Sequence, residues 1–391
     1  MKIVGNQPLI HQAEYAKRIR PLLPPEAFLP DRSKVLVLLI NLTILLLGWG
    51  IAAHLDRWPV YLLWLYLPVT LIMGNSVIVL LFSSHDLMHT GIIKNPYGLR
   101  MISLLGLTML WMSPTLWKIL HNRVHHNQTN SLGDPDRNYL SQQPNTWGKW
   151  IQNLFTPSQT VNRFCLMLGM ASAWGIYTFR NLTAVLLFNS EHVSYVPAAF
   201  KVRMEERRKI ALESLVIFAI HFSVLAYLQF HPLKLILSYF LPIALGYAGI
   251  IFYVYTNHML CPMASINDPL VNSVSIKVPK LFDLLHLNFS YHAEHHIFPG
   301  LNSDYYPIVQ DLIKIHYPEW SDYILDASEA WRLLLHTPRH YQNATTFTDW
   351  KGKASVPCRL NGGLLDEPLT IAAPLVASLQ EAAFPDYRGS S

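Results

Sequence analysis

Charge is scarce in this chain: of 391 residues only 14% are Asp, Glu, Lys or Arg, against 51% hydrophobic, and mean hydropathy is +0.22. Soluble domains carry about a quarter charged residues, so the two or three soluble domains that this length would otherwise allow are excluded. Cysteine is scarcer still. Cys165, Cys261 and Cys358 stand far apart and show neither CxxC spacing nor a disulfide framework, so they read as ordinary thiols. A dense basic stripe is also missing, so the net charge of +5 suits a surface against anionic lipid better than a nucleic-acid groove. There is no internal repeat and no low-complexity tract. The segment up to Arg32 mixes Glu14, Glu26 and Asp31 with its bases and resembles neither a secretory signal nor a transit peptide. What remains is a membrane protein inserted by internal spans, with 11 Trp and 19 Tyr suited to the lipid–water interface.

A bilayer core about 30 Å thick needs roughly 20 apolar helical residues. Four runs meet that requirement, at 35–53, 60–82, 211–230 and 235–255. Very short turns at 54–59 and 231–234 join them in pairs, so the spacing predicts two hairpins, each returning to its starting side. Lys17, Arg18 and Arg20 precede the first span, and Lys201, Arg203, Arg207, Arg208 and Lys209 precede the third; an excess of base marks those sides as cytosolic. Two further apolar stretches, 101–120 and 164–188, are interrupted by Ser113-Pro114 and by Arg180. Neither reads as a clean span, and an interfacial or covering position is expected for them. The organisation expected is a cytosolic N-terminal segment (1–34), a membrane catalytic domain (35–315) and a cytosolic C-terminal extension (316–391).

Of the 18 histidines, eight fall into three clusters. The first is His85-Asp86-Leu87-Met88-His89, directly after the second run; the next is His121-Asn122-Arg123-Val124-His125-His126; the last is His292-Ala293-Glu294-His295-His296, followed by Ile297-Phe298-Pro299. Spacings of three and four put two imidazoles on one helical face, within reach of one ion. A second adjacent histidine, as at His126 and His296, points elsewhere and serves a neighbouring ion. One transition-metal ion rarely uses more than about six ligands, so eight imidazoles imply two ions. His258, where the fourth run reaches the same surface, is a ninth expected ligand. His192 and His286 are weaker candidates, and His11, His54, His221, His231, His316, His336 and His340 read as surface or hydrogen-bonded residues. Asp86 and Glu294 inside the clusters are expected to accept hydrogen bonds from ligating imidazoles and fix their tautomers, and Asn257 to hold a metal-bound water. Trp111, Trp117 and Tyr291 adjoin the clusters and read either as the lining of an apolar tunnel or as interface anchors.

All-imidazole ligation argues against magnesium and calcium, which prefer oxygen, and leaves iron, zinc, copper or nickel. A metal transporter would place ionisable residues within its spans, whereas these clusters sit beyond the span ends. An oxidase of unactivated C–H bonds is the better reading, and iron the ion that fits it.

The clusters resemble the histidine boxes of the membrane fatty acid desaturase and hydroxylase superfamily: HDxxH at 85–89, HxxxHH at 121–126 and a Glu-His-His-x-Phe-Pro ending at 294–299. That resemblance covers about 35–315. It implies an all-α integral membrane fold of about four transmembrane helices in two hairpins, with a cytosolic helical cap holding a di-metal site of two iron ions. It further implies O2-dependent desaturation of a lipid-linked fatty acyl chain, with hydroxylation of an acyl chain, alkane or carotenoid by the same centre as the alternative. No His-Pro-Gly-Gly of a fused haem domain is present, so the electrons are expected from a separate ferredoxin or cytochrome b5. The middle box departs from the commoner HxxHH by one extra intervening residue, and Glu294 before the last histidine pair resembles sphingolipid and front-end desaturases.

Overall fold

The computed structural model describes residues 3–4, 7–137, 139–189 and 200–358. His192 and the last part of the 316–391 segment lie outside them. The fold is mostly helical, and among the described residues four segments are long and apolar enough to cross a membrane: Ser33–Arg57, Val60–His89, Met204–Tyr227 and Pro232–His258. They match the four runs of the sequence. Helix α1 is Gln12–Ile19, and the long helices within the four segments are α2 (Ser33–Ala52), α3 (Leu67–His89), α8 (Met204–Tyr227) and α9 (Leu241–His258).

The two hairpin turns lie side by side. Lys234, at the start of the fourth segment, is buried, and its Nζ donates to Ala53 O (2.7 Å) and Gln229 Oε1 (3.1 Å) and pairs with Asp56 Oδ1 (3.0 Å). One ammonium thus ties both turns together at one end of the bundle. The opposite ends of α3 and α9 carry His89 and His258, so the hairpin arrangement delivers two distant histidine segments to the same end.

Inside a bilayer no hydrophobic force drives helix against helix, and close packing at small residues takes its place. Helices α3 and α9 show this directly. A Cβ on Gly246 would stand 2.5 Å from Val77 Cβ and 3.1 Å from Gly74 O, and one on Gly74 would stand 2.9 Å from Leu245 Cβ. Only glycine at both positions permits that approach.

The interrupted stretch 101–120 forms a bent pair. Helix α4 (Pro96–Leu107) runs to a break at Trp111, whose φ is 55°, and Ser113 then caps α5 (Pro114–Trp117) by accepting from Leu116 N at 3.1 Å. The two halves of the bent pair meet at 90°. Buried Glu213 of α8 secures the corner, accepting from Arg100 Nε (2.6 Å), Thr115 N (3.0 Å) and Thr115 Oγ1 (2.8 Å). Helices α6 (Thr146–Phe155) and α7 (Arg163–Thr183) follow, and Trp174 of α7 donates to Leu110 O at the same corner (3.1 Å).

Beyond α9 the chain makes strand β1 (Ser275–Lys277) and the short helices α10 (Lys280–Leu285) and α11 (His292–Ile297), then α12 (Tyr306–His316). Strand β2 (Ile324–Asp326) pairs in parallel with β1, and α13 (Ala327–His336) lays Trp331 on Phe252 of α9 with ring centroids 5.6 Å apart. An antiparallel sheet of β3 (His340–Asn343), β4 (Thr346–Thr348) and β5 (Ser355–Pro357) follows. Its Tyr341 donates to Cys261 O at 2.6 Å, so this part of the segment after 315 packs on the loop that leaves α9. At the other terminus α1 does the same: Gln12 N donates to Asn267 O (2.9 Å) and Tyr15 OH to Asp268 Oδ1 (3.1 Å).

Replacing Gly246 with Leu forces a side chain into the α3–α9 contact. The expected cost is about 1–3 kcal/mol of stability, read as a lower thermal midpoint of the detergent-solubilised protein, with the Gly246→Ala variant falling between it and the wild type.

Candidate metal centre

The middle histidine box sits on an unusual helix. Residues Lys118–His125, continuing from α5, are wound as a π-helix, and the His126 N–H bonds to His121 O, five residues back. That bonding pattern brings residues five apart onto one face. The extra residue of HxxxHH is therefore taken up as a wide turn. His121 and His126 then face the same place, with Nε2 atoms 3.1 Å apart, while His121 also stacks on His125, four residues on, with ring centroids 5.1 Å apart.

Among the described residues two all-imidazole groups result, and His121, His125 and Asp136 form a third set of possible ligands. One ring nitrogen from each of His85, His89, His121, His126 and His295 lies within 4.8 Å of the others, and the same holds for His125, His258, His292 and His296. Adjacent histidines divide between the groups, as expected for two neighbouring ions. In the last box, however, His292 shares its group with His296 and not with His295, because the four-residue offset is closer to a full helical turn than the three-residue one. His258, the ninth expected ligand, stands in the second group, 2.7 Å Nε2 to Nε2 from His292. His286 belongs to neither, its ring nitrogens being engaged by Tyr253 OH (2.8 Å) and Asn75 Oδ1 (3.1 Å). His221 is likewise engaged, by Thr108 O (2.8 Å) and Tyr239 OH (2.6 Å).

The outward ring nitrogens explain why the inward ones are free to bind. His258 Nδ1 lies 3.1 Å from Asn272 O; a carbonyl only accepts, so the proton is on Nδ1 and the Nε2 lone pair faces the group. His125 Nδ1 sits 3.0 Å from both carboxylate oxygens of Asp134, which fixes it in the same sense. His295 Nδ1 meets Tyr306 OH at 3.0 Å, and His296 Nδ1 meets Thr129 Oγ1 at 3.3 Å. Inside, His126 Nε2 faces both His121 and His295 (3.1 and 3.2 Å), while His292 Nε2 faces both His258 and His296 (2.7 and 3.2 Å). Among the described residues Nε2 of His85 and of His89 has no hydrogen-bond partner. Burial first, and then neighbouring imidazoles, hold His292, His295 and His296 well below the usual histidine range, so they stay neutral, which is the ligand form. His125 differs, raised to about 9 because the Asp134 carboxylate outweighs its burial; as a set, converging imidazole nitrogens fit a transition-metal ion and offer no oxygen shell for magnesium or calcium.

The acidic residues named from the sequence are placed differently from that expectation. Glu294, fully buried, accepts from Ser275 Oγ (2.5 Å), Gln310 Nε2 (2.9 Å) and Tyr323 OH (2.7 Å). It bonds no imidazole among the described residues and acts as a strut, tying six-residue α11 to β1, α12 and the turn before β2. Burial pushes its carboxyl above the usual range, with those three donors acting against the rise. Asp86 is buried beside His85, yet none of the described imidazoles bonds to it, and its Oδ2 has no partner among the described residues. Both amide atoms of buried Asn257 also lack a partner there. Trp117 stacks on His121 (4.5 Å, 24°), Tyr291 immediately precedes α11, and Trp111 lies apart, stacked on His221 (3.8 Å, 1°).

The residues that back the imidazoles were missed in the sequence. Asp134 and Asp136 belong to the loop Gly133-Asp134-Pro135-Asp136, which reads only as a turn. Asp134 also accepts from Asn130 N (2.7 Å) and Asp136 N (2.9 Å). Burial would raise its carboxyl, but His125 and these N–H groups outweigh it and hold Asp134 below the usual range. Asp136 Oδ2 stands 3.6 Å from His121 Nδ1, and its Oδ1 accepts from Tyr177 OH of α7 at 2.5 Å. Each group therefore has one middle-box imidazole with a carboxylate behind it. Two acids following a histidine box at loop spacing were the available signal.

Compared with known proteins, the chain is similar to one family over most of its length: the fatty acid desaturase profile matches residues 56–324. No curated protein matches it.

Replacing Asp134 with Asn leaves the shape but lets the tautomer of His125 vary. Loss of such a partner costs about 10- to 100-fold in metal affinity. Chelator challenge of the purified variant is expected to strip metal more readily than from the wild type by that order.

Proposed function

The chain belongs to the fatty acid desaturase family, and from that premise we propose that it introduces a double bond into a lipid-linked fatty acyl chain, using O2 and two iron ions held by its nine clustered histidines. One observation carries this reading: two all-imidazole groups, buried at the end of an apolar helical bundle, share boundaries through His125/His126 and His295/His296. Bound there, iron supplies oxidising power toward an unactivated C–H bond that protein side chains lack. His85, His89, His121, His126 and His295 would hold one ion, and His125, His258, His292 and His296 the other.

The surrounding residues serve that chemistry in distinct ways. Asp134 and Asn272 O keep His125 and His258 protonated on Nδ1. Glu294 fixes α11, so its three histidines keep their relative positions. Asn257, next to His258 with a free buried amide, would orient a water in the second group. The apolar setting favours a substrate that is itself hydrocarbon, held by packing and not by charge.

In this reading the protein is a multi-pass membrane enzyme with its active site on the cytosolic face. The stitched hairpin turns lie at the bundle end away from the histidines, and the basic flanks at Lys17, Arg18, Arg20 and 201–209 support that sidedness. The catalytic unit is 35–315, completed from both flanks by Tyr15, which binds Asp268, and Tyr323, which binds Glu294. Electrons come from a separate ferredoxin or cytochrome b5, whose acidic face suits a basic cytosolic surface.

Expression in a host with simple lipids, followed by mass analysis of its acyl chains, is expected to show products lighter by two hydrogens. His295→Ala, which removes a ligand, is expected to abolish them. Products heavier by one oxygen would replace desaturation with hydroxylation.

A further inference from the structure

Helix α10 exposes Leu281 (61%), Leu284 (77%) and Phe282 (43%), an apolar face that a cytosolic cap has no reason to present to water. Its C-terminal end shows where it belongs. His286, next along the chain, bonds Asn75 of α3 and Tyr253 of α9, both inside membrane-crossing segments. The piece between β1 and the third histidine box therefore turns toward the bilayer and wedges against α3 and α9, leaving its leucines to lipid.

Directly after His286 the backbone adopts a rare form. Leu287 and Asn288 have φ of 55° and 56°. Asn tolerates the left-handed region, but Leu does not, and such residues persist where the surroundings impose them and cluster at sites that move. Here the turn is held by Asn288 N donating to Asp283 O (2.8 Å) and Asn288 Nδ2 to Ser303 O (3.1 Å). Its product is the placement of Phe289, stacked on Phe82 of α3 at 3.8 Å and 12°. The same ring lies 5.3 Å from His85 and 5.1 Å from His292. Behind the stack is a void of about 10 Å³ between Phe82, Leu287, Phe289, Tyr306 and the imidazoles of His85 and His295. That volume holds about one water and no hydrocarbon chain. On the other side, an open cleft of about 640 Å³ beside the start of α10 carries Lys277, Asp326, Glu329 and Arg332, charges of both signs next to a lipid-facing helix.

We infer that α10 and the Phe82–Phe289 stack form a lateral portal through which the acyl chain of a bilayer-resident lipid reaches the histidine groups from the membrane. The inference rests on the desaturase reading. The chain slides along the leucine face of α10, the polar end stays at the charged cleft, and Phe289 swings off Phe82 about the Leu287–Asn288 turn to admit the hydrocarbon. Flat aromatic rings exclude water when the portal is shut and offer an apolar surface when it opens.

The test uses the full-length, metal-loaded protein in lipid nanodiscs containing a phosphatidylcholine with a mid-chain diazirine, with crosslinks mapped by peptide mass spectrometry. Label is expected on residues 281–289, displaced by excess unlabelled lipid. Phe289→Trp is expected to cut product formation roughly 10-fold or more while metal content and labelling at Leu281 and Leu284 persist. Phe82→Leu, which keeps an apolar side chain but removes the stack, is expected to raise labelling of the peptide bearing His85. A wild-type preparation that converts acyl lipid but is labelled only away from 281–289 overturns the portal and leaves the desaturase reading standing. Failure of metal-loaded protein to convert any acyl lipid removes that reading and the portal with it.

Discussion

Nine imidazoles bring nitrogen atoms together in two groups, with contacts between rings as short as 2.7 Å, and all but the half-buried His89 are buried. A buried polar atom without a partner costs about 1–3 kcal/mol, and several of these nitrogens have none among the described residues. A bound cation would satisfy them together. The rest of the structure bears on that convergence: because the histidines come from four separate elements, every contact that fixes one element relative to another also sets the geometry of the groups. A metal ion bound there would stabilise the fold of the cap as well.

The bundle and the cap divide the work. Glycine contacts between α3 and α9 set the distance between His85 or His89 and His258, and Lys234 locks the far ends so that this distance does not drift. Glu213 holds the bent pair that carries the middle box, and Glu294 holds the short helix that carries the last one. Both carboxylates are buried and saturated with donors, which gives them the rigidity that a buried polar network confers only when its members are satisfied. Neither needs to touch a metal to matter.

Much of this was legible in the sequence, and for physical reasons. Apolar runs of span length announce themselves because a bilayer tolerates little else, and all four stand where the runs predict. The histidine boxes were legible because their spacings report helical faces. What escaped was geometry that departs from the regular helix. The π-turn at Lys118–His125 re-pairs His121 with His126, and nothing in the spacing distinguishes a wide turn from an insertion. Asp134 and Asp136 were hidden because loop residues find their partners through a fold and not through a period. Glu294 was noticed for its neighbours in sequence, whereas its partners, Ser275, Gln310 and Tyr323, come from elements on either side. The segment after 315 reads by composition as an extension, yet Tyr323 and Tyr341 bond back to Glu294 of α11 and to Cys261 after α9, a role that two tyrosines in a polar stretch do not advertise.

The most direct test of the account is X-ray absorption spectroscopy with metal analysis on the purified full chain. The account expects about two transition-metal ions per chain, each with a light-atom shell showing the multiple scattering of imidazole. Folded protein that converts lipid without bound metal, or a metal shell dominated by sulfur or by carboxylate oxygen, would contradict it.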